Sequence, residues 1–175
     1  MASAATVTAL LTAASAAATL PWANGCDPAL PGHVRTSATC GATVVAGRAV
    51  APPQAPPAVK AAIAAANRIN GRPYVWGGGH ARWDSRGYDC SGAVGYALHG
   101  AGMLDTTMVS GQLAYWGEAG LGRWITVYAN AKHVYMEIAG LRFDTRDDLP
   151  GVTGPRWHLE MVESPNFVAR HPAGL

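Results

Sequence analysis

The spacing of apolar residues predicts an amphipathic helix directly after a proline-rich run. The prolines of residues 51–57 favour extended polyproline II structure and mark a boundary in the chain. Over residues 58–69, Val59, Ile63 and Ala66 fall on one stripe, as the core-facing side chains of a surface helix do. An Asn-Gly pair follows this segment, and such a pair commonly ends a helix.

A second helical pattern begins at Cys90. Val94 and Leu98 have helical spacing, and two glycines shortly after Leu98 are placed to end the helix. The preceding stretch, residues 84–89, is polar and typical of a turn. A short third helix is expected over residues 110–116.

The second half of the chain has the pattern of strands. Segments 123–128, 133–138 and 141–145 are separated by turn residues, and an Ala-Gly pair between the last two suits a tight hairpin. These segments predict an antiparallel meander, with loop at 147–154 and a last strand at 167–170. Helices followed by strands indicate an α+β fold, with N-terminal helices packed on a small antiparallel sheet.

Composition divides the chain into three parts. Residues 1–25 form an Ala-rich leader, 26–55 a Pro- and Gly-rich segment that is predicted to be irregular, and 56–175 a single domain. A chain of 175 residues has room for one domain with a core but not for two enzymatic domains. We therefore expect one active site.

The leader resembles a secretory signal without its basic n-region. Three interpretations stay open: a signal with a misplaced or trimmed start, which we favour, a lipoprotein-like segment ending at Cys26, or a flexible leader. After Leu20 no stretch has the length and unbroken apolarity of a spanning helix. The sequence thus predicts a secreted or envelope-facing protein whose mature form has no integral membrane segment.

The charge of the chain does not favour a polyanionic partner, although it is compatible with small-molecule partners of any charge. Only 14% of the residues are charged, and the formal net charge is +2. A nucleic-acid-binding protein usually carries a much stronger basic patch. Nucleic acid is therefore not expected as a partner.

The three cysteines are an odd number, so at least one has no partner within the chain. Cys26 and Cys40 lie 14 positions apart in the irregular segment, where a disulfide would tie down a loop with little core of its own. The alternative is that both are unpaired thiols. If they pair, Cys90 is the free cysteine.

Cys90 is the candidate nucleophile because it is expected at a helix start. A thiol becomes a good nucleophile at neutral pH when its pKa is lowered, and a helix N-terminus beside an imidazole lowers it. Unpaired N–H groups at the same helix start can also stabilise the oxyanion of an acyl-transfer intermediate. A lone cysteine in a helix is more often a small core residue, so a base must be found.

His133 and Asp144 are the candidate base and orienting group. His133 begins a predicted strand, and the hairpin turn at Ala139-Gly140 would bring Asp144 on the next strand about opposite to it. An acceptor at Asp144 could hold one imidazole nitrogen and leave the other facing Cys90. This chemistry needs no cofactor. The other histidines show no metal-ligand spacing, and His80 is expected nearest the cleft.

These motifs resemble those of the NlpC/P60 cysteine peptidases, whose fold is a reduced version of papain's. The resemblance covers residues 56–144 and rests on Tyr-Val-Trp-Gly-Gly at 74–78, Asp-Cys-Ser-Gly at 89–92 opening a helix, and His-Val at 133–134 opening a strand. The sequence departs from the family pattern at Gly122-Arg123, where the family commonly has Gly-Asp, and at Lys132, where a small residue often precedes the histidine.

The resemblance implies a Cys90–His133–Asp144 site that hydrolyses peptidoglycan stem peptides, at the bond between D-glutamate and a diamino acid. It further implies that Tyr74 points its hydroxyl at the reaction centre, and that Asp89 and Ser91 help to recognise the peptide end. Asp89 is equally suited to be a helix N-cap. The rival functions are an acyltransferase or lipid-directed thiol enzyme on the same fold, an antibacterial effector amidase, and a silent binding module.

Overall fold

The computed structural model describes residues 41–146, 153–159 and 165–175. The leader at 1–25 and the predicted Cys26–Cys40 disulfide lie outside the described residues. Most of the predicted loop at 147–154 lies outside them as well.

Three helices form where the sequence predicts them. Their bounds are Pro57–Ile69 for α1, Cys90–Gly100 for α2 and Ser110–Leu113 for α3. Pro57 sits in the first turn of α1, where its missing N–H costs nothing. α3 is shorter than predicted, because the backbone from Leu113 to Trp116 continues as tight turns rather than as helix.

Eight strands are described, in two sheets. The strands are Thr43–Val45 (β1), Arg48–Val50 (β2), Glu118–Ala119 (β3), Ile125–Ala129 (β4), Val134–Ile138 (β5), Leu141–Asp144 (β6), Arg156–His158 (β7) and Val168–His171 (β8). β1 and β2 form a hairpin, and the other six form one antiparallel sheet in the order β3-β8-β4-β5-β6-β7. The predicted meander and last strand are confirmed, whereas β3 and β7 were not predicted.

The prediction of irregular structure is wrong for residues 43–50. They form a hairpin in which Val45 pairs with Arg48 across the two-residue turn Ala46-Gly47. Both turn residues have positive φ, of 48° and 74°, as a type I′ turn requires. The hairpin packs on the core of the predicted domain, because Ala49 is buried in the same apolar cluster as the helices.

The core lies between α1, α2 and the six-stranded sheet. α1 buries Val59, Ile63 and Ile69 completely or nearly so, and the sheet contributes Met136 and Phe143 from its centre. The predicted fold class, an α+β fold with N-terminal helices on a small antiparallel sheet, is confirmed. Within the described parts of the chain, no helix has the length and apolarity needed to cross a membrane.

Candidate active site

Cys90 is the first residue of α2 and is 9% exposed. At this position a backbone N–H has no acceptor within the helix, and the positive end of the helix dipole favours a negatively charged sulfur. Cys90 is not in a disulfide. The helix start therefore supplies a setting in which a thiolate is stabilised.

Asp89 caps α2 and fixes the loop in front of it. Its Oδ1 accepts from the N–H of Gly92 at 2.7 Å, and its Oδ2 accepts from the N–H of Gly77 at 3.0 Å. The N–H of Asp89 in turn donates to the carbonyl of Gly78 at 3.3 Å. The glycine-rich loop and the helix start are thus held together as one unit beside Cys90.

His133 is placed by a turn at the start of β5. The side-chain oxygen of Asn130 accepts from the N–H groups of Lys132 and His133, each at 2.9 Å. Asn130 donates its own N–H to the carbonyl of His133 at 3.0 Å. This closed turn fixes the backbone from which the imidazole projects.

The imidazole of His133 joins the predicted acid to the predicted nucleophile. Its Nε2 lies 2.9 Å from Oδ1 of Asp144, and its side chain also forms a hydrogen bond with the thiol of Cys90. Burial lowers the pKa of His133, but the hydrogen bonds and charges of Asp144 and Cys90 outweigh burial and raise it from 6.5 to about 9. Since Nε2 faces Asp144, Nδ1 is the nitrogen left for the sulfur.

The predicted hairpin register is close to the observed one. Met136 pairs with Phe143 on β5 and β6, and continuing that pairing sets Asp144 opposite Tyr135. His133 is two residues further along, so the bond to Asp144 is a diagonal one across the strand pair. The sequence predicted the two residues to be about opposite each other. The observed offset is two residues, and the His133 side chain is long enough to reach Asp144 across it.

Asp144 is the most enclosed member of the group, with only 1% of its side chain exposed. Its Oδ1 also accepts from the N–H groups of Thr145 at 2.7 Å and Arg146 at 3.1 Å. Its Oδ2 lies 3.3 Å from a guanidinium nitrogen of Arg142, whose side chain is 3% exposed. These contacts define the direction of the carboxylate.

Tyr74 lies close enough to Cys90 for the two groups to interact electrostatically. Burial raises the pKa of the Tyr74 phenol, and the charges of Cys90 and Asp89 raise it further. A parallel bridge to Tyr88 holds its backbone next to the segment that leads into α2. The structure thus places Tyr74 near Cys90 and Asp89, and the direction of its hydroxyl toward the reaction centre stays a prediction.

Asp89 and Ser91 are buried and engaged within the protein. The Nε2 of His80 lies 3.0 Å from Oδ1 of Asp89 and 3.1 Å from Oγ of Ser91, and Ser91 donates to Asp89 at 3.2 Å. His80 is the histidine that the sequence placed nearest the cleft, after His133. The N-cap interpretation of Asp89 is confirmed, and recognition of a peptide end stays a prediction.

Sequence reasoning missed Arg142 and Asn130. Arg142 and Asp144 are two residues apart on β6, so strand periodicity could have placed them on one face. Trp76 is 87% exposed on the loop that follows Tyr74, although a large aromatic side chain usually packs. Among the described residues, no group of three or more His, Cys, Asp or Glu is arranged to hold a metal ion.

Comparison with known proteins found similar structures only. No model of a protein family and no curated protein matches the chain. The peptidoglycan hydrolase RipB from Mycobacterium tuberculosis is 25% identical with a TM-score of 0.49, and the match covers 65% of this chain and 64% of RipB. This chain therefore spans slightly less than two thirds of RipB.

Two further solved structures are similar to the same degree. A hypothetical invasion protein of Mycobacterium tuberculosis is 24% identical over 74% of this chain and 71% of its own, with a TM-score of 0.49. The resuscitation promoting factor interacting protein RipA, in a mutated form, is 23% identical over 75% and 72%, also with a TM-score of 0.49.

Proposed function

We propose that this protein is a cysteine endopeptidase of the NlpC/P60 type that hydrolyses an amide bond in peptidoglycan stem peptides. The observation that carries the proposal is the chain of contacts from Asp144 through His133, at 2.9 Å, to Cys90 at a helix start. An acyl-transfer enzyme needs this nucleophile, base and orienting group in this order.

The reaction begins with a thiolate–imidazolium pair. With the pKa of His133 raised to about 9, the imidazole holds a proton at neutral pH and stabilises the negative sulfur beside it. The thiolate attacks the carbonyl carbon of the amide. The N–H of Cys90, at the start of α2, is proposed to donate to the oxyanion of the tetrahedral intermediate.

Collapse of that intermediate produces an acyl-enzyme. The imidazolium of His133 gives its proton to the leaving amine, the C–N bond breaks, and a thioester on Cys90 remains. Water then attacks the thioester while His133 takes its proton. The thiolate leaves, and the carboxyl product departs. Asp144 keeps the imidazole in one orientation throughout both steps.

Tyr74, Asp89 and Ser91 are the residues proposed to bind the peptide. Tyr74 interacts with Cys90, and its hydroxyl is proposed to contact the substrate at the reaction centre. The His80 ring lies within hydrogen-bond distance of both Asp89 and Ser91. A peptide amine that bound to these two residues would replace the ring as their hydrogen-bond partner. The proposed bond is the one between D-glutamate and a diamino acid, by resemblance of the motifs at 74–78 and 89–92.

Such a substrate implies a place of action outside the cytoplasm, where peptidoglycan lies. We propose that the leader at residues 1–25 directs export, and that residues 56–175 carry the activity. Both cell-wall maintenance and attack on a competitor's wall would use this same chemistry.

Digestion of purified sacculi tests the proposal most directly. The wild-type protein is expected to release peptide fragments, whose masses identify the bond that is cut. The Cys90→Ala variant, which loses only a sulfur at a helix start, is expected to fold and to release none. Release by Cys90→Ala at the wild-type rate would show that Cys90 is not the nucleophile.

The other two residues should differ in their effects. Replacing His133 by Ala removes both the base and the partner of the thiolate, whereas replacing Asp144 by Ala removes an orienting group that water or backbone can partly replace. We expect the smaller loss of kcat for Asp144→Ala. Equal and complete loss in both variants, measured on sacculi with folding checked by circular dichroism, would assign Asp144 a structural role instead.

An acyltransferase is the second candidate, and the exposed apolar side chains beside Tyr74 favour it. Val75 is 43% exposed and Trp76 87% exposed, which gives this loop an apolar surface. An acyltransferase would pass the thioester on Cys90 to an amine or alcohol rather than to water. Intact sacculi after incubation, together with an acyl adduct on Cys90 after incubation with a lipid thioester, would select this second function.

A further inference from the structure

Arg142 is a buried cation next to the proposed catalytic site. It lies on β6, two residues before Asp144, and its guanidinium nitrogen is 3.3 Å from Oδ2 of Asp144. Their side chains are 3% and 1% exposed. Two charges buried this deeply are tolerated because they face each other.

The two oxygens of Asp144 have different partners, and Arg142 holds one of them. Oδ2 meets the guanidinium, while Oδ1 accepts from His133 and from the backbone N–H groups of Thr145 and Arg146. Turning the plane of the carboxylate away from these partners would weaken all of these contacts together. The guanidinium therefore helps to keep the carboxylate directed at His133.

The strand register places a second carboxylate near Arg142. Glu137 on β5 is the residue directly opposite Arg142 in the antiparallel pairing, and opposite residues lie on the same face of a sheet. Glu137 also accepts from the hydroxyl of Tyr128 on β4 at 3.3 Å. Arg142 thus has Glu137 opposite it on β5 and Asp144 two residues further along β6, on the same face of the sheet.

We propose that Arg142 is a positioning residue of the active site, which orients Asp144 and through it His133 and Cys90. This inference rests on the proposed function, because it assigns Asp144 the orienting role. Arg142 is not expected to touch the substrate. Its removal should reduce kcat on sacculi and leave KM nearly unchanged.

The reactivity of Cys90 toward iodoacetamide tests this coupling without any assumption about the substrate. The thiolate is the form that is alkylated, so the rate at pH 7 reports how well His133 stabilises it. Mass spectrometry of the peptide containing Cys90 separates its alkylation from that of Cys26 and Cys40. The variants are Arg142→Gln, Arg142→Lys and Asp144→Asn, with each arginine variant also made in the Asp144→Asn background.

If Arg142 acts through Asp144, the arginine variants are effective only when Asp144 is present. Arg142→Gln is expected to slow alkylation about tenfold, as Asp144→Asn does, because both remove a hydrogen bond to a charged group. Arg142→Lys keeps the cation without the planar fork and should slow it only about threefold. In the Asp144→Asn background neither change should slow alkylation further.

Two results would overturn the inference: folded Arg142→Gln that is alkylated at the wild-type rate, or arginine variants that slow alkylation equally in both backgrounds. If Arg142→Gln does not fold, Arg142→Lys makes the same comparison with the cation retained. Sacculi separate this inference from the proposed function. Coupled alkylation rates without peptide release would refute the hydrolase and leave the role of Arg142 intact.

Discussion

Three groups determine how reactive the sulfur of Cys90 is. The start of α2 offers unpaired N–H groups and a positive dipole end, and His133 offers an imidazole with a raised pKa. The imidazole of His133 depends in turn on the enclosed carboxylate of Asp144, which is the third group.

The raised pKa of His133 predicts how stability depends on pH. Below pH 6.5 the folded and unfolded chains are both protonated at His133, so its full contribution to stability is present. As the pH rises from 6.5 to about 9, the unfolded chain loses the proton that the folded chain retains, and the contribution declines. We expect wild type to exceed His133→Gln in stability at pH 6 and to lose that advantage by pH 9.5.

Urea unfolding across this range, for wild type and His133→Gln, measures the difference. The variant keeps the size and polarity of the side chain but cannot titrate, so it is the matched control. A difference between the two proteins that stays constant from pH 6 to 9.5 would contradict the assigned pKa of His133.

The three central residues of the site could be predicted from the sequence, but the buried residue that contacts Asp144 could not. Cys90 belongs to a motif that opens a helix, and the hairpin at Ala139-Gly140 relates His133 to Asp144. Arg142 went unrecognised because an alternating polar residue on a strand is normally solvent-facing. In the folded protein its side chain is 3% exposed, and spacing along the chain does not show this burial.

At the scale of elements, contact between the glycine-rich loop and α2 explains why a helix carries glycine in its first turn. A β-carbon on Gly92 would overlap the carbonyl oxygen of Gly78. Glycine lowers helix propensity by about 1 kcal/mol relative to alanine. Glycine is nevertheless required at position 92, because the loop must lie against the helix to place Tyr74 and Asp89 beside Cys90.

Gly92→Ala and Gly95→Ala are therefore expected to have opposite effects, although both lie in α2. Gly92→Ala should destabilise the protein by roughly 2 kcal/mol or more, because a backbone carbonyl must move. At Gly95 a β-carbon would be 3.4 Å from Trp83 and 3.7 Å from Leu104, which is ordinary contact. Gly95→Ala should stabilise by about 0.5–1 kcal/mol through helix propensity.

Thermal unfolding of the two variants measures these changes, and iodoacetamide alkylation reports on the site. The Gly92 variant should also lose reactivity at Cys90, since displacement of the loop disturbs the cap of α2. Equal stability of the Gly92 and Gly95 variants would show that the loop does not rest on the helix as described.

The sequence predicts elements well where a pattern is long and poorly where tertiary contacts decide. α1 has thirteen residues with one apolar stripe and was predicted within a residue of its observed start. β1, β2 and β7 have three residues each, too few for alternation to be recognised. The Ala-Gly turn of the first hairpin matches the one between β5 and β6, yet its flanking strands depend on packing against α1.

At the scale of the whole molecule, α1 joins parts of the chain that are far apart in sequence. The amide of Asn67 donates to the carbonyl of Ala49 at 2.8 Å and accepts from its N–H at 2.9 Å, as a neighbouring strand would. The same oxygen accepts from the indole N–H of Trp157 on β7 at 2.9 Å. Asn70 adds a parallel link, to Gly47 and to the backbone of Trp157.

Asn67→Ala is expected to lower the free energy of unfolding by about 3 kcal/mol, because three hydrogen bonds are lost and their partners on Ala49 and Trp157 are left in a partly buried place. Trp157→Phe removes the indole N–H, together with part of the ring that packs on Phe143, and should cost at least about 1 kcal/mol. Urea unfolding measures both changes. One cooperative transition should persist, since the hairpin shares the core of the domain.

The double variant Asn67→Ala/Trp157→Phe tests whether the two residues stabilise the protein through the hydrogen bond that they share or through independent contacts. If the indole acts on stability through Asn67, its loss should add little once Asn67 is gone, and the two effects should fall short of their sum. Full additivity would mean that Trp157 stabilises β7 by packing on Phe143 instead. A change below about 0.5 kcal/mol for Asn67→Ala, the size typical of an ordinary surface substitution, would show that residues 43–50 are not held to α1 in solution.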